Sequence, residues 1–165
     1  MPRATDKLWT SLSNAKALFL IAGPCVIESE KLCLQIGSSM QKLCSKLKIP
    51  YVFKASFDKA NRSSGSSFRG PGIDAGLNIL ARIREKLGVP VLTDIHTEME
   101  AYLAGEVVDI LQIPAFLCRQ TDLVEAVART GRGVNLKKGQ FVAPGDIVHS
   151  ARKAFDAGNP NVLVT

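Results

Sequence analysis

The chain has 165 residues, 46% of them hydrophobic and 22% charged, with a formal net charge of +6, which is the make-up of one globular domain with a real core and excludes a disordered chain. No apolar run reaches the roughly 18–20 residues of a membrane span, and Met1 to Lys16 carry no apolar core of a signal peptide. The positive charge would suit nucleic acid or small anions, but the cations form no dense block and only 6% of residues are aromatic. Small phosphorylated molecules therefore fit better than nucleic acid.

Residues 1–17 are polar and read as an N-terminal arm or cap on a single domain spanning 1–165. Leu18 to Ala22 is an apolar strand stopped by Gly23-Pro24. Glu28 and Ser29 open a helix to Lys48, with Leu32, Ile36, Leu43 and Leu47 as its apolar stripe. Pro50 to Ala55 is the second strand, followed by a long polar loop. Asp74 caps a helix with Leu77, Leu80, Ile83 and Leu87 at helical spacing, and Gly88 ends it. Val89 to Asp94 is the third strand. Thr97-Glu98-Met99-Glu100 is a capping box for a short helix to Ala104. Val107 to Gln112 is the fourth strand. A helix starting at Thr121 or Asp122 turns Leu123, Val127 and Ala128 inward and ends at Gly131. Val134 to Lys137 is the fifth strand. Pro144-Gly145-Asp146 opens a helix with Ile147, Ala151, Ala154 and Phe155 on one face, and Asn161 to Thr165 is a sixth strand.

Strands alternating with helices across short turns predict an α/β fold with a parallel sheet. No Gly-x-Gly-x-x-Gly follows the first strand, which speaks against a dinucleotide-binding fold. A (β/α)8 barrel needs eight units and about 250 residues. Six strands with five intervening helices read as about six of those eight units.

The loop from Lys54 to Ser64, running on to Phe68-Arg69-Gly70-Pro71-Gly72, mixes two lysines and two arginines with Ser, Asn and Gly. Such groups bind phosphates and sugar hydroxyls, and the loop leaves a buried strand directly, where α/β proteins build active sites. Polar residues recur at the other strand ends: Cys25 after the first strand, Asp94, Gln112 and Lys137 on later ones, with Asn135 of the same parity. Several roles stay open. Asp94 suits a hydroxyl, a lysine or a metal, and equally a plain salt bridge. Cys25 is a soft metal ligand or a small buried hydrophobe. His96 is a rim residue or a structural hydrogen-bonding one, His149 a helix-surface residue, and Arg119 a site or subunit-contact residue. None of Cys25, Cys33, Cys44 and Cys118 forms a Cys-x-x-Cys pair, which points to reduced cytosolic thiols. Cys33 and Cys44 read as small core residues.

Six segments carry a family resemblance: Ala22-Gly-Pro-Cys25, Tyr51 to Ser64, Phe68 to Gly72, Thr93-Asp-Ile-His96, Gln112 to Asp122, and Asn135-Leu-Lys-Lys-Gly-Gln-Phe141. From about Phe19 onward the chain resembles the 3-deoxy-D-manno-octulosonate 8-phosphate synthases, and the Lys-Ala-Asn-Arg-Ser run at 59–63 is the most specific element. The related 3-deoxy-arabino-heptulosonate 7-phosphate synthases carry Lys-Pro-Arg-Thr-Ser there. The resemblance implies a cytosolic, tetrameric β/α barrel that condenses phosphoenolpyruvate with arabinose 5-phosphate for lipopolysaccharide or plant pectin synthesis, with no nucleic-acid or membrane partner.

By the family pattern, Lys54, Lys59, Ala115 and Lys137 hold phosphoenolpyruvate. Asn61, Arg62 and Ser63 hold arabinose 5-phosphate. Asp94, Gln112, Pro114 and Phe116 line the pocket, and Arg119 reaches the sugar phosphate of a neighbouring subunit. The catalytic set is Lys54, Lys59, Asp94 and Lys137. Cys25 stands where metal-independent members have Asn, which implies a divalent transition metal (Mn, Fe, Zn or Co). The family's other metal ligands, a His, a Glu and an Asp, and an Arg after the sixth strand, have no counterpart among these 165 residues. The expectation is therefore a C-terminally truncated form that holds metal poorly alone. Two alternatives stand: the heptulosonate synthase, with erythrose 4-phosphate as acceptor, and a non-catalytic remnant that binds phosphosugar or RNA.

Overall fold

The computed structural model describes residues 4–15 and 18–165, with side chains from Lys7 onward. The expected arm extends over residues 1–3 and 16–17, which lie outside them. Two compact units emerge, Met1–Thr93 and Asp94–Thr165. Among the described residues, six parallel strands alternate with helices in the β/α order of the first six units of a (β/α)8 barrel, so the fold class is α/β as expected.

In the first unit, helix α1 (Ala4–Ser13) precedes strand β1 (Leu20–Ala22), helix α2 (Glu30–Leu47), strand β2 (Tyr51–Lys54), helix α3 (Ile73–Leu87) and the start of strand β3 (Val91–Asp94). α1 falls in the stretch expected to be a polar arm or cap, because its apolar residues are few. β1 pairs β2 through Leu20↔Tyr51, Ile21↔Val52 and Ala22↔Phe53, and β2 pairs β3 through Phe53↔Val91 and Lys54↔Leu92. Ser29 caps α2, its Oγ accepting from Leu32 N at 3.2 Å. The face α2 buries is not the leucine stripe. Cys33, Gly37 and Cys44 are buried, while Leu43 and Leu47 are 45% and 57% exposed. The small residues win because the helix lies close: a Cβ on Gly37 would stand 2.6 Å from Leu87 Cδ1 and 3.2 Å from the Phe53 ring. Cys33 and Cys44 are thus the core residues that were expected. α3 buries Leu77, Leu80 and Ile83 as its spacing predicted, but its cap is Gly72, not Asp74, and makes no side-chain bond. Asp74 instead lies inside the first turn, where its charge favours the helix dipole.

In the second unit come helix α4 (Glu98–Gly105), strand β4 (Ile110–Ile113), helix α5 (Thr121–Arg129), strand β5 (Gly133–Leu136), helix α6 (Ile147–Asp156) and strand β6 (Val162–Val164). The registers run Gln112↔Asn135 between β4 and β5 and Asn135↔Leu163 between β5 and β6. Thr97 caps α4, accepting from Glu100 N at 3.2 Å. The reciprocal half of the box is displaced by one residue, since the Glu100 carboxylate accepts from His96 N at 2.7 Å. α5 buries Leu123, Val127 and Ala128 as read. α6 buries Ile147, Ala151 and Ala154, but Phe155 is 47% exposed, because it lies off their line on the helix. The strand interiors Val134, Leu136, Ile110 and Leu111 are fully buried, each apolar side chain contributing about 1.5–3 kcal/mol.

Candidate active site

The first unit holds the expected phosphate loop. β2 is buried through Phe53 and surfaces at Lys54, which is half-buried. Beyond β1 the chain stays alongside β2, because Val26 bridges Ser56 and Ile27 N donates to Ser56 O at 2.9 Å. The turn between them is tight: a Cβ on Gly23 would lie 2.1 Å from the Lys54 carbonyl oxygen. Only glycine allows the two backbones this close, so the Gly23-Pro24 turn sets where Lys54 and exposed Cys25 emerge.

The loop itself folds back. Lys59 N donates to Arg69 O at 2.7 Å and Gly72 N to Phe57 O at 3.2 Å. Arg69 Nε donates to Asp58 Oδ1 at 2.8 Å and its NH2 group to Oδ2, a two-pronged pair that keeps Arg69 for the loop's own frame. Arg69 and Asp58 side chains are 52% and 22% exposed, so the pair adds order more than stability. Arg62 donates only through Nε, to Phe68 O at 3.1 Å, and its terminal nitrogens bond no described residue. Asn61, Arg62 and Ser63 are all exposed on this closed loop. The loop thus carries an amide, a guanidinium fork and a hydroxyl at consecutive exposed positions, groups that suit a phosphate or polyol.

The second unit holds the other strand-end residues. Asp94, at the end of β3, is 5% exposed. His96 lies between two carboxylates, Nε2 at 3.9 Å from Asp94 Oδ2 and Nδ1 at 3.3 Å from Glu100 Oε2. Glu100, read from the sequence as a helix cap alone, thus also orients this imidazole. Gln112 lies within the buried run of β4, one residue before its end at Ile113, and its Oε1 accepts from Asn135 Nδ2 at 3.0 Å. Lys137 follows β5, its N–H donating to Ile113 O at 3.1 Å, and its side chain is exposed. Neighbouring Lys138 plays a different part: its Nζ donates to Gly139 O at 3.0 Å and Val142 O at 2.9 Å, closing the loop after Lys137. Pro114 caps the short 3-10 turn Ala115–Leu117. Phe116 stacks on Phe141 at 6.3 Å between centroids, and both rings are exposed. Arg119 is drawn elsewhere. It lines a cleft of about 390 Å³ with Asp146, His149 and Lys153, and its carbonyl accepts from Lys153 Nζ at 2.8 Å. No other expected site residue borders that cleft, whereas His149, read as plain surface, does.

Among the described residues no three His, Cys, Asp or Glu side chains come together to hold a metal. Cys25 could supply one soft ligand, which does not amount to a site. No described helix is long and apolar enough to cross a membrane.

Residues 10–165 match the family model described as the DAHP synthetase I family. Curated relatives are named 2-dehydro-3-deoxyphosphooctonate aldolase. The protein of Koribacter versatilis is 57% identical over 148 residues, covering 90% of this chain and 53% of its own length. That of Acidithiobacillus ferrooxidans is 56% identical over 146 residues, covering 88% and 52%. That of a Cyanothece species is 54% identical over 155 residues, covering 94% and 57%. The chain thus spans about half the length of the curated relatives it matches.

Proposed function

The chain belongs to the DAHP synthetase I family, and on that footing we propose that it carries much of a synthase joining phosphoenolpyruvate to D-arabinose 5-phosphate. Carbon 3 of the enol acid bonds to the sugar aldehyde carbon, water adds at carbon 2, and the carbon 2–phosphate oxygen bond breaks. The products are 3-deoxy-D-manno-octulosonate 8-phosphate and inorganic phosphate. The observation that carries this reading is the closed loop offering Asn61, Arg62 and Ser63 together, in the Lys-Ala-Asn-Arg-Ser run. The names of the relatives favour the same acceptor.

In this reading Lys54, Lys59 and Lys137, with Ala115, bind the doubly anionic three-carbon acid. Their charge stabilises the electrons that move onto phosphate and carboxylate. Arg62 and Ser63 take the sugar phosphate, and Asn61 a sugar hydroxyl. Asp94, held among buried groups beside His96, orients a lysine or a hydroxyl. Gln112, Pro114 and Phe116 line the pocket, and Arg119 serves a neighbouring copy in a homotetramer. Cys25 would supply one soft ligand to a divalent transition metal. A cytosolic place in lipopolysaccharide or pectin precursor synthesis belongs to the same proposal.

The test is phosphate release by the polypeptide of the whole reading frame that encodes these residues. Turnover is expected with arabinose 5-phosphate and not with erythrose 4-phosphate. The reverse preference would replace the reading with a heptulosonate synthase. No turnover, with RNA binding that falls steeply with salt, would replace it with a binding remnant. Loss of turnover with a chelator supports the role of Cys25, and unchanged turnover refutes it.

A further inference from the structure

Asn135 was singled out by parity alone and has no part in the proposed chemistry so far. It sits in the middle of β5, directly opposite Gln112 of β4 in the parallel register, so both side chains leave the same face. Both are deeply buried, at 1% and 5% exposure. Asn135 Nδ2 donates to Gln112 Oε1 at 3.0 Å and approaches Thr165 Oγ1 at 3.4 Å. Asn135 Oδ1 has no partner. A buried carbonyl left without a donor loses its solvation for no return, so stability alone disfavours Asn here. Its strand neighbours Val134 and Leu136 are fully buried hydrophobes, and a valine would fill the position without that cost.

What the amide does accomplish is to fix Gln112. An amide side chain can turn either end outward, and the two ends bind opposite partners. With Oε1 engaged by Asn135, the NH2 end of Gln112 is the one left, and it makes no hydrogen bond to a described residue. Lys137 follows β5 two residues beyond Asn135, and its N–H still donates to Ile113 O at 3.1 Å, so continued alternation sends it to the same side. A fixed NH2 donor beside a lysine suits a carboxylate, whereas a carbonyl there would repel one.

We infer that Asn135 is a positioning residue that locks the Gln112 amide so that its NH2 group, not its carbonyl, faces the carboxylate of the three-carbon acid. This rests on the proposed synthase reading and adds a residue to it. Steady-state kinetics of Asn135→Ala, Gln112→Ala and the double variant, made in the whole reading frame, test it. Asn135→Ala is expected to raise KM for phosphoenolpyruvate about 5–10-fold, the worth of one oriented hydrogen bond. kcat stays within about twofold, and KM for the sugar phosphate does not move. In the Gln112→Ala background the Asn135 change adds nothing, because the group it positions is gone. Asn135→Asp, of the same shape but able only to accept, turns the glutamine round and raises the same KM further. It carries the test should the alanine variant not fold. Additive effects, or a fall in kcat with KM unchanged, overturn the inference while leaving the synthase reading standing. A parent protein without turnover overturns both.

Discussion

Gly23→Ala isolates the close approach that places Lys54. The added Cβ would stand 2.1 Å from the Lys54 carbonyl oxygen, 3.0 Å from its carbonyl carbon and 3.2 Å from its nitrogen. All three are backbone atoms, so no side chain can swing away. Reaching an ordinary contact of 3.4 Å requires the turn and β2 to separate by about 1.3 Å. The β1–β2 ladder is only three residue pairs long, and its Leu20 N to Pro50 O bond of 2.9 Å has little room to stretch. Losing one or two such bonds at ~1 kcal/mol each, with ~1–3 kcal/mol of overpacking, gives a destabilisation of about 2–5 kcal/mol. At roughly 2–4 °C per kcal/mol for a chain of this size, the melting temperature should fall by about 4–20 °C. Thermal unfolding followed by circular dichroism measures this. Gly65→Ala is the control, since a Cβ there meets nothing within 4 Å. Should Gly23→Ala melt within a degree of that control, the close packing of the turn on Lys54 is refuted.

Lys48 ends α2 in the left-handed region, φ 56 and ψ 39, where a side chain is strained. Lys48→Gly is expected to stabilise the protein by about 1 kcal/mol in urea unfolding. Burial, and behind it Glu28 and Glu30, pushes the Cys33 thiol up to about 11, and Cys33, Cys44 and Cys118 are buried while Cys25 is exposed. A disulfide reagent at pH 8 should therefore titrate one thiol in the native protein, lost in Cys25→Ser, and four in denaturant. Lys86 and then Arg82 hold the Glu30 carboxyl below its usual value. A lowered pKa stabilises the fold above about pH 4.5 and loses that contribution as pH falls through the lowered value. The melting temperature should thus drop more between pH 6 and pH 3 in the parent than in Glu30→Gln. Asp58→Asn should cost no more than about 1 kcal/mol, because its partner Arg69 is half exposed. A larger loss in a chemical melt would mean that the pair holds more than its own loop.

The order of strands and helices was legible along the chain because hydrophobic period and glycine stops are local signals. Gly88 and Gly131, each with a positive φ, close helices where they were expected. The failure on α2 has a tertiary cause. Leu43 and Leu47 have helical spacing but face solvent, and the face that α2 buries is set by how near Gly37 lets Phe53 and Leu87 come. Period reports that a helix has an apolar side, not which side its neighbours cover.

The candidate site divides in the same way. Residue types and strand-end parity singled out Lys54, Asp94, Gln112 and Lys137, since those depend only on alternation along a strand. Partners distant in the chain were not legible. Asn135 on Gln112 joins residues 23 apart in the chain, and Lys153 on the Arg119 carbonyl joins residues 34 apart. Glu100 lies only four residues from His96, yet its shift off the helix cap depends on how the chain turns between them. Sequence thus determined the family, the α/β class and the chemistry on offer. Tertiary structure decided which groups are fixed and which remain available, because a hydrogen bond depends on an ångström of separation that linear spacing does not encode.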